Sequence, residues 1–360
     1  MGTILGRRAL NRALLARQLL LRRARLPAAD AIEHLVGMQG QAPNAPYHGL
    51  WTRLAGFRHE ELSTLISERL AVRITLMRGT LHLVTVRDAL RLRPSTQQVL
   101  ERGVQRIRGL AGLDLDEVVK AGRALLEERP RTFAELGPLL QELWPDRDAV
   151  ALARVVRWVV PLVQVPPRGL WRTKAPAAHT TVESWLGLEL AGDPAPDEAL
   201  LRYLGAFGPA TVQDMRAWSG VAGLREVVDR LRPRLRTFAD ERGNELFDLP
   251  DAPLPDQDTP APVRFLPDFD NLVLSHADRT RVVAEEHRGR IMANGVGRPS
   301  FLVDGFVAGT WKLEKGRLLV RPFVPLAAAH RAALAEEGGR LLAFAAAEAA
   351  DHDVRFLPPE

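Results

Sequence analysis

Residues 72–86 read Val-Arg-Ile-Thr-Leu-Met-Arg-Gly-Thr-Leu-His-Leu-Val-Thr-Val. The β-branched residues and the alternating apolar pattern predict two strands, and Arg78-Gly79 predicts the turn between them. Helical patterns precede this hairpin over residues 8–20, 28–38, 49–57 and 59–69. Helices followed by a β-hairpin are the element order of a winged helix-turn-helix motif.

The same order returns twice further along the chain. The second unit has predicted helices at Asp114–Glu127, Thr132–Leu143 and Asp148–Val159, and predicted strands at Leu162–Val165 and Leu170–Arg172. The third unit has predicted helices at Asp197–Phe207, after Thr211 and at Val221–Leu231, and predicted strands at Leu235–Phe238 and Glu245–Asp248. Asp148 and Thr211 belong to the residue types that cap helix N-termini. The sequence therefore predicts three tandem winged helix-turn-helix motifs.

The C-terminal part changes character after a linker rich in Pro and Asp at residues 250–262. Predicted strands there are Val263–Pro267, Leu272–Ser275, Phe301–Val303, Phe306–Glu314 and Arg317–Phe323, and Leu326–Ala350 is a predicted Ala-rich helix. We therefore expect an α+β protein with domains at 1–110, 111–190, 191–250 and 251–360. The last of these is expected to be a β-barrel-like unit with a closing helix.

The composition is that of a soluble globular protein. The 360 residues are 46% hydrophobic and 26% charged, with a net charge of +5 and no cysteine. Disulfides and thiolate chemistry are excluded, and no signal peptide or membrane span is expected, which fits the cytoplasm. Residues 1–29 hold seven arginines and no acid. This cluster favours a phosphate partner such as nucleic acid, although a GC-rich genome that prefers Arg to Lys would give the same pattern.

The break after the second predicted helix carries two amides. Gly40 and the prolines at 43 and 46 prevent the helix from continuing. Gln39 and Gln41 stand on this break, and residues i and i+2 of an extended backbone point the same way. The two amides could then hold a water molecule between them. The alternative interpretation is that both are ordinary polar residues that end a helix.

Several other residues are candidates for binding. Arg78 and Arg168 lie at predicted wing tips, where an arginine suits phosphate or minor-groove contact, although each could also be a solvated turn residue. His82 follows on the same hairpin and is either structural or functional. A metal site could be formed by the polar run Asp268, Asp270, His276 and Asp278, but Asp–Arg pairs and turn capping explain this run as well. We predict no metal and no cofactor, since the motifs for zinc, P-loop, nucleophile-elbow and dinucleotide sites are not found.

Four stretches of the sequence resemble the winged-helix DNA glycosylases of the AlkZ/YcaQ type. They are Leu35–Trp51 with its Gln-x-Gln, Met77–Val84, Phe265–Arg281 and Asp304–Trp311. The resemblance implies three tandem winged helices and a C-terminal β-barrel in a C shape around DNA. It also implies excision of alkylated purines, including bulky N7 adducts and interstrand crosslinks. Some members of the family protect antibiotic producers from their own alkylating product.

The resemblance also implies roles for individual residues. The catalytic pair falls on Gln39 and Gln41, which would orient the water that attacks C1′. The middle residue, usually apolar in the family, is Gly40 here, and we expect it to loosen the backbone. Predicted DNA-binding residues are Asn44, Arg78, His82, Arg168, Arg279 and Arg281. The expected partner is double-stranded DNA with alkylated purines, and the protein is expected to act as a monomer.

The chemistry needs little from the protein. An N7-alkylguanine is already cationic, so it leaves without a general acid, and a neutral amide contributes positioning and dipole stabilisation. No lysine near the motif suggests a Schiff-base lyase, so a monofunctional enzyme is predicted. The alternative is a DNA-binding protein or transcriptional regulator without catalytic activity, for which the winged helices alone suffice.

Overall fold

The first third of the chain contains the predicted hairpin. The computed structural model describes residues 3–192, 196–293, 295–349 and 351–359. The first elements are β1 (Ile4–Leu5), α1 (Arg7–Arg17), α2 (Ala28–His34), β2 (Met38–Gln39), α3 (Ala45–Arg53), α4 (His59–Ser67), β3 (Ala71–Thr75), β4 (Leu81–Thr85) and α5 (Val86–Val104). β3 and β4 pair antiparallel around a short turn at Met77–Gly79, so the predicted hairpin is confirmed. The predicted helix over 28–38 is too long, because its last residues turn and enter the sheet as β2.

The second stretch has the three predicted helices. Its elements are α6 (Leu115–Glu128), α7 (Phe133–Leu143), α8 (Ala149–Val159), β5 (Leu162–Gln164), β6 (His179–Thr181) and α9 (Val182–Leu186). Asp114, Thr132 and Asp148 cap the three long helices by accepting from backbone N–H groups. The predicted strand Leu170–Arg172 is wrong, since β5 pairs with β6. The prolines after β5 lack the N–H groups that a ladder needs, and Trp171 packs on Tyr47 with ring centroids 5.0 Å apart.

One sheet joins the first two stretches. Its strand order is β2-β4-β3-β5-β6, and the link is the pairing of Arg73 with Gln164 and of Ile74 with Val163. The predicted hairpin β3–β4 and the antiparallel pair β5–β6 are therefore neighbours in a single five-stranded sheet. This arrangement crosses the predicted boundary between 1–110 and 111–190, which stays a prediction.

The third stretch has a smaller sheet of its own. Its elements are α10 (Pro196–Phe207), α11 (Val212–Ser219), α12 (Leu224–Leu231), β7 (Arg236–Asp240) and β8 (Glu245–Asp248). The predicted hairpin is confirmed, and Thr211 caps α11 as expected. The N-terminal strand β1, which the sequence pattern did not indicate, adds to β7 in parallel.

The C-terminal part is an open sheet packed with a helix. Its elements are β9 (Arg264–Leu266), α13 (Arg288–Ile291), β10 (Met292–Ala293), β11 (Val296–Gly297), β12 (Ser300–Val303), β13 (Phe306–Glu314), β14 (Arg317–Pro322), α14 (Ala328–Ala345) and β15 (Asp353–Phe356). The sheet runs β15-β14-β13-β12-β9. In the described ranges this sheet does not close, so the expected barrel-like unit is not confirmed. The predicted helix end at residue 350 lies outside the described residues.

The predicted strand Leu272–Ser275 is also wrong. Residues Asn271–Val273 form a single 3-10 turn, which Asp270 caps by accepting from the backbone N–H of Leu272. The apolar side chains of this run are buried as a turn rather than along a ladder. A short apolar run does not distinguish the two.

Three of the N-terminal arginines, Arg12, Arg17 and Arg23, join parts of the molecule, whereas Arg22 and Arg25 are exposed. Arg12 and Arg17 are fully buried. Arg17 forms an ion pair with Asp248 at 2.6 Å, and Arg12 pairs with Asp304. Arg23 pairs with Glu337 at 2.6 Å. These contacts join α1 and its neighbouring loop to the third stretch and to the C-terminal part. Among the described residues, no helix is both long enough and apolar enough to cross a membrane.

Candidate active site

Gln39 lies on an edge strand of the five-stranded sheet. β2 pairs with β4, and Gln39 stands opposite His82. The chain reaches this strand because α2 ends at His34 and Gly37 then adopts φ of +88°. A Cβ atom on Gly37 would lie 2.6 Å from Val84, so this close approach of the backbone to β4 requires glycine.

The two glutamine side chains are in direct contact. Nε2 of Gln39 donates a hydrogen bond to Oε1 of Gln41 over 2.6 Å. Gln39 is only 6% exposed, whereas Gln41 is exposed. The structure thus places the two amides side by side, with one buried and the other open to solvent.

The residue between them is held on both sides. The backbone N–H of Gly40 donates to the carbonyl of Leu81 over 2.8 Å. The carbonyl of Gly40 accepts from Nη2 of Arg73 over 2.6 Å, and Nε of Arg73 donates to Gln164 on β5. The expectation that Gly40 loosens the backbone is therefore wrong, because both of its polar groups are fixed. Arg73 has a role here that the sequence did not suggest.

Arg78 does not lie on an exposed wing tip. It is half-buried and adopts φ of +57° in the turn at Met77–Gly79. Its guanidinium donates to the carbonyl of Trp218, which ends α11, and to Oε1 of Gln39 over 3.1 Å. Burial and the like charge of Arg279 lower the pKa of Arg78 to about 10. Arg78 thus contacts the candidate catalytic amide, and its contact with a phosphate stays a prediction.

His82 is enclosed behind the amide pair. It is fully buried, and its Nδ1 lies 2.9 Å from the carbonyl of Thr80. Burial and the nearby charge of Arg78 lower the pKa of His82 to about 3. The ring is therefore neutral at pH 7, and a direct contact between this buried ring and DNA would require the site to open.

Arg279 and Arg281 have different surroundings although both were predicted to bind DNA. Arg281 is 5% exposed and donates to the carbonyl of Pro209 over 2.9 Å. Its Nη2 lies 3.6 Å from Asp214, so it belongs to the interior. Arg279 is only partly covered, and its charge is felt by Arg78. Of the two, only Arg279 is placed to meet a ligand at the surface.

Arg168 and Asn44 border an open groove beside the amide pair. Its volume is about 620 Å³, and it is lined by Pro43, Asn44, Arg168, Arg172, Thr173, Lys174, Ala175 and Pro176. Oδ1 of Asn44 accepts from the backbone N–H of Arg172 over 3.1 Å. Nη1 of Arg168 donates to the carbonyl of Ala175 over 2.9 Å. The groove is basic. Two of its residues, Asn44 and Arg168, were predicted from the sequence to bind DNA.

Comparison with known proteins decides the family. The family model of AlkZ-like DNA glycosylases matches residues 32–344, which is most of the chain. The chain belongs to the AlkZ-like DNA glycosylases. An interstrand DNA cross-link repair glycosylase of Streptomyces sahachiroi is 27% identical over 339 residues, covering 85% of this chain and 88% of that protein. The solved Streptomyces sahachiroi DNA glycosylase AlkZ matches with a TM-score of 0.80 at 24% identity, covering 99% of this chain and 100% of that one.

The resemblance seen in the sequence is thus confirmed, and the chain is a DNA glycosylase. Its polar run at 268–278 makes contacts within the protein. In the part of the glycosylase that the structure describes, no three His, Asp or Glu side chains are grouped to hold a metal ion. Asp270 forms an ion pair with Arg53 at 2.7 Å, and Nε2 of His276 lies 3.0 Å from the carbonyl of Phe207. These contacts support the structural explanation of this run, which the sequence left open as the alternative to a metal site.

Among the acids of this run, Asp268 lies beside the segment that carries the two glutamines. It lines a small cleft with Met38 and Gln39 on one side. It also lines a groove of about 840 Å³ with Ala42 and Asn44 on the other. From the sequence, Asp268 was a candidate only for a metal site, and its position beside the glutamines was not predicted. The signal that could have predicted this position is its place in a stretch that carries the family resemblance.

Proposed function

We propose that this AlkZ-like enzyme is a monofunctional glycosylase that excises bulky or crosslinked N7-alkylated purines from duplex DNA. The observation that carries the proposal is the Gln39–Gln41 contact, in which a buried amide supports an exposed one. A regulator that only binds DNA has no need of this pair. The name of the Streptomyces sahachiroi relative, an interstrand DNA cross-link repair glycosylase, supports crosslinked substrates.

The proposed step is hydrolysis at C1′. The bond between C1′ and N9 breaks, and its electron pair goes to the base, whose positive charge is thereby neutralised. Water attacks C1′ of the oxocarbenium-like sugar, and its proton passes to solvent. A neutral amide cannot take that proton, so Gln41 would hold the water in line and stabilise positive charge through its carbonyl dipole. We therefore expect the enzyme to act on labile, cationic lesions.

The openness of the site suits a base that cannot be flipped. A crosslinked base is tied to the opposite strand, so extrusion into a closed pocket is not available to it. Gln41 is exposed, and the groove of about 840 Å³ begins at Ala42, directly after it. Apolar side chains, among them Trp311 and Leu313, line this groove. We propose that it receives the bulky substituent on N7.

The basic groove at 168–176 is the proposed contact for the backbone of the duplex. Arg172 and Lys174 carry charge there, and cations that neutralise phosphates give affinity without sequence preference. We further propose that the three helix-and-hairpin stretches act as winged helices on DNA, and that the enzyme works as a monomer in the cytoplasm. Self-resistance to a genotoxic product and housekeeping repair both remain compatible with this function.

The test is excision on duplex oligonucleotides that carry one N7-alkylguanine, either methyl or bulky, read as strand breaks after alkali. Wild type should give breaks, while Gln41→Ala and Gln39→Ala should lose about 10²-fold or more in rate and still bind the duplex. Breaks by both variants at the wild-type rate would reject the mechanism. Tight binding without breaks by the wild type would favour the DNA-binding regulator.

A further inference from the structure

The hydrogen bonds around the amide pair have a fixed direction. The guanidinium of Arg78 can only donate, so the atom of Gln39 that it contacts at 3.1 Å is the oxygen. The amide nitrogen of Gln39 then faces Gln41 and donates to its Oε1. An Asn or Gln amide is ordinarily ambiguous in orientation, and here the donor-only partner removes the ambiguity.

The position of Arg78 is itself set by two other parts of the fold. The second contact of its guanidinium is the carbonyl of Trp218. A Cβ atom on Gly220 would lie 3.4 Å from the Cα atom of Arg78, and one on Gly79 would lie 2.5 Å from the ring of Trp158. The turn that carries Arg78 is therefore packed between the end of α11 and α8.

We propose that Arg78 is the positioning residue of the active site, which orients Gln39 so that Gln39 holds Oε1 of Gln41 through one lone pair and leaves its second lone pair for the attacking water. The proposal rests on the proposed role of the two glutamines. Without Arg78, the Gln39 amide is free to rotate and to offer its oxygen to Gln41, which would turn the Gln41 amide. The contact with Trp218 makes this orientation depend on the docking of the third stretch.

The test compares Arg78→Met and Arg78→Lys with wild type in single-turnover excision of N7-methylguanine. Both variants should be slower by about 10-fold or more, since Met cannot donate and Lys offers a single nitrogen in place of the two that contact Trp218 and Gln39. Their affinity for undamaged duplex should stay within about 2-fold at several salt concentrations, because a guanidinium engaged by Trp218 and Gln39 releases no phosphate counterion. In protein labelled with ¹⁵N glutamine, the side-chain amide signal of Gln39 should shift and exchange faster.

Arg93→Lys is the matched control. Arg93 is buried, donates to the carbonyl of Val159 and has a pKa lowered to about 10 by burial. The substitution Arg93→Lys should leave excision unchanged. Wild-type rates for Arg78→Met would overturn the proposal. A rate loss explained by weaker duplex binding with a smaller salt slope would also overturn it, in favour of a phosphate contact. If the wild type itself excises nothing, the proposed function fails instead.

A second observation concerns Asp268. The four buried aspartates of the described chain are each paired with an arginine: Asp88 with Arg202, Asp214 with Arg281, Asp248 with Arg17, and Asp270 with Arg53. Asp268 is half-buried, yet it has no ion pair and no hydrogen bond from another side chain among the described residues. Burial without a partner raises the pKa of Asp268 and disfavours its charged form.

The backbone directs Asp268 and Asp270 to different surroundings. Phe269 adopts φ of +56°, which is unusual for a bulky residue and breaks the alternation that would put Asp268 beside Asp270. The ring of Phe269 packs on the β10–β11 hairpin, where a Cβ atom on Gly297 would lie 2.8 Å from it. Asp270 turns to Arg53, while Asp268 borders both cavities that flank the segment with the two glutamines.

We infer that Asp268 is a further catalytic residue, whose carboxylate faces the sugar and stabilises the positive charge that develops at C1′. No bond to Asp268 forms or breaks, so the balance of the hydrolysis is unchanged. The neutral amide pair places the water, and the carboxylate supplies the negative charge that the pair lacks. An unpaired, half-buried carboxylate costs stability, and such groups cluster at functional sites.

The test is Asp268→Asn, measured for both stability and excision at pH 7.5. The variant should unfold at a higher urea concentration than wild type and excise N7-methylguanine about 10²-fold more slowly. Asp270→Asn is the matched control two residues away, and it should unfold at a lower urea concentration because it leaves Arg53 unpaired. If Asp268 has a structural role, Asp268→Asn should unfold at a lower urea concentration than wild type. If Asp268 has no catalytic role, Asp268→Asn should excise at the wild-type rate. Either result overturns the inference, while Gln41→Ala tests the proposed function separately.

Discussion

Gly40 shows how a single residue can mislead when it is considered without its neighbours. The sequence suggested a flexible link between the two glutamines, because glycine is the most permissive residue. The structure instead fixes its N–H on Leu81 and its carbonyl on Arg73. Residue types could predict that Gln39 and Gln41 face the same way. They could not predict which groups hold the segment, because Leu81 and Arg73 are distant in sequence.

Gly40→Ala should therefore stabilise the protein. Gly40 is not in the left-handed region, and its Cβ atom would be 3.4 Å from the backbone nitrogen of Leu83, an ordinary contact. Alanine reduces the entropy of the unfolded chain, so we expect a gain of about 0.4–1 kcal/mol in the free energy of unfolding, with excision within about 2-fold of wild type. The measurement is urea unfolding with the glycosylase assay alongside.

Gly37→Ala is the contrasting variant for this experiment. Gly37 has φ of +88°, and its Cβ atom would lie 2.6 Å from Val84. We expect Gly37→Ala to lower the free energy of unfolding by more than about 1 kcal/mol. Equal effects of the two substitutions would show that the sheet edge around the glutamines is not ordered in the way described.

At the scale of elements, the sequence predicted best what is decided locally. Helix N-termini with capping side chains, such as those at Asp114 and Asp148, lie where they were expected. The hairpins of the first and third stretches were also predicted, since alternation and turn residues are close in sequence. The helix α5, with Pro94 inside it, was not predicted. A proline within a helical pattern normally indicates its end.

The errors lie where the partner of a strand is far away in sequence. β2 pairs with β4, β5 with β3, β1 with β7 and β15 with β14, and none of these pairings is visible in a local pattern. The segment Leu170–Arg172 had the composition of a strand, but aromatic packing between Trp171 and Tyr47 decided its place. The candidate site depends on these distant pairings, because they bring β2 to the edge where Gln39 and Gln41 meet.

At the scale of the whole molecule, several histidines are enclosed in neutral form. Burial lowers the pKa of His48 to about 4, and that of His82, His179 and His276 to about 3. They lie on α3, on β4, on β6 and after the turn at Asn271–Val273. The unfolded chain takes up a proton at each near pH ~6.5, whereas the folded chain does not. Stability that is present above this pH is therefore lost as the pH falls toward 4.

This difference predicts that acid lowers the stability of the fold. At pH ~5.5 the four histidines together should cost roughly 6 kcal/mol, a large part of a typical total. Urea unfolding between pH 7.5 and 5.5 should show this loss, and His179→Gln should reduce its slope by about one proton. A flat profile would mean that the histidines are not enclosed. Because neither glutamine titrates, excision by the folded enzyme should not depend on their protonation. A decrease below pH ~6 that follows the unfolded fraction comes from the histidines. Any additional loss of rate by the folded enzyme would come from protonation of Asp268, whose pKa is raised by burial.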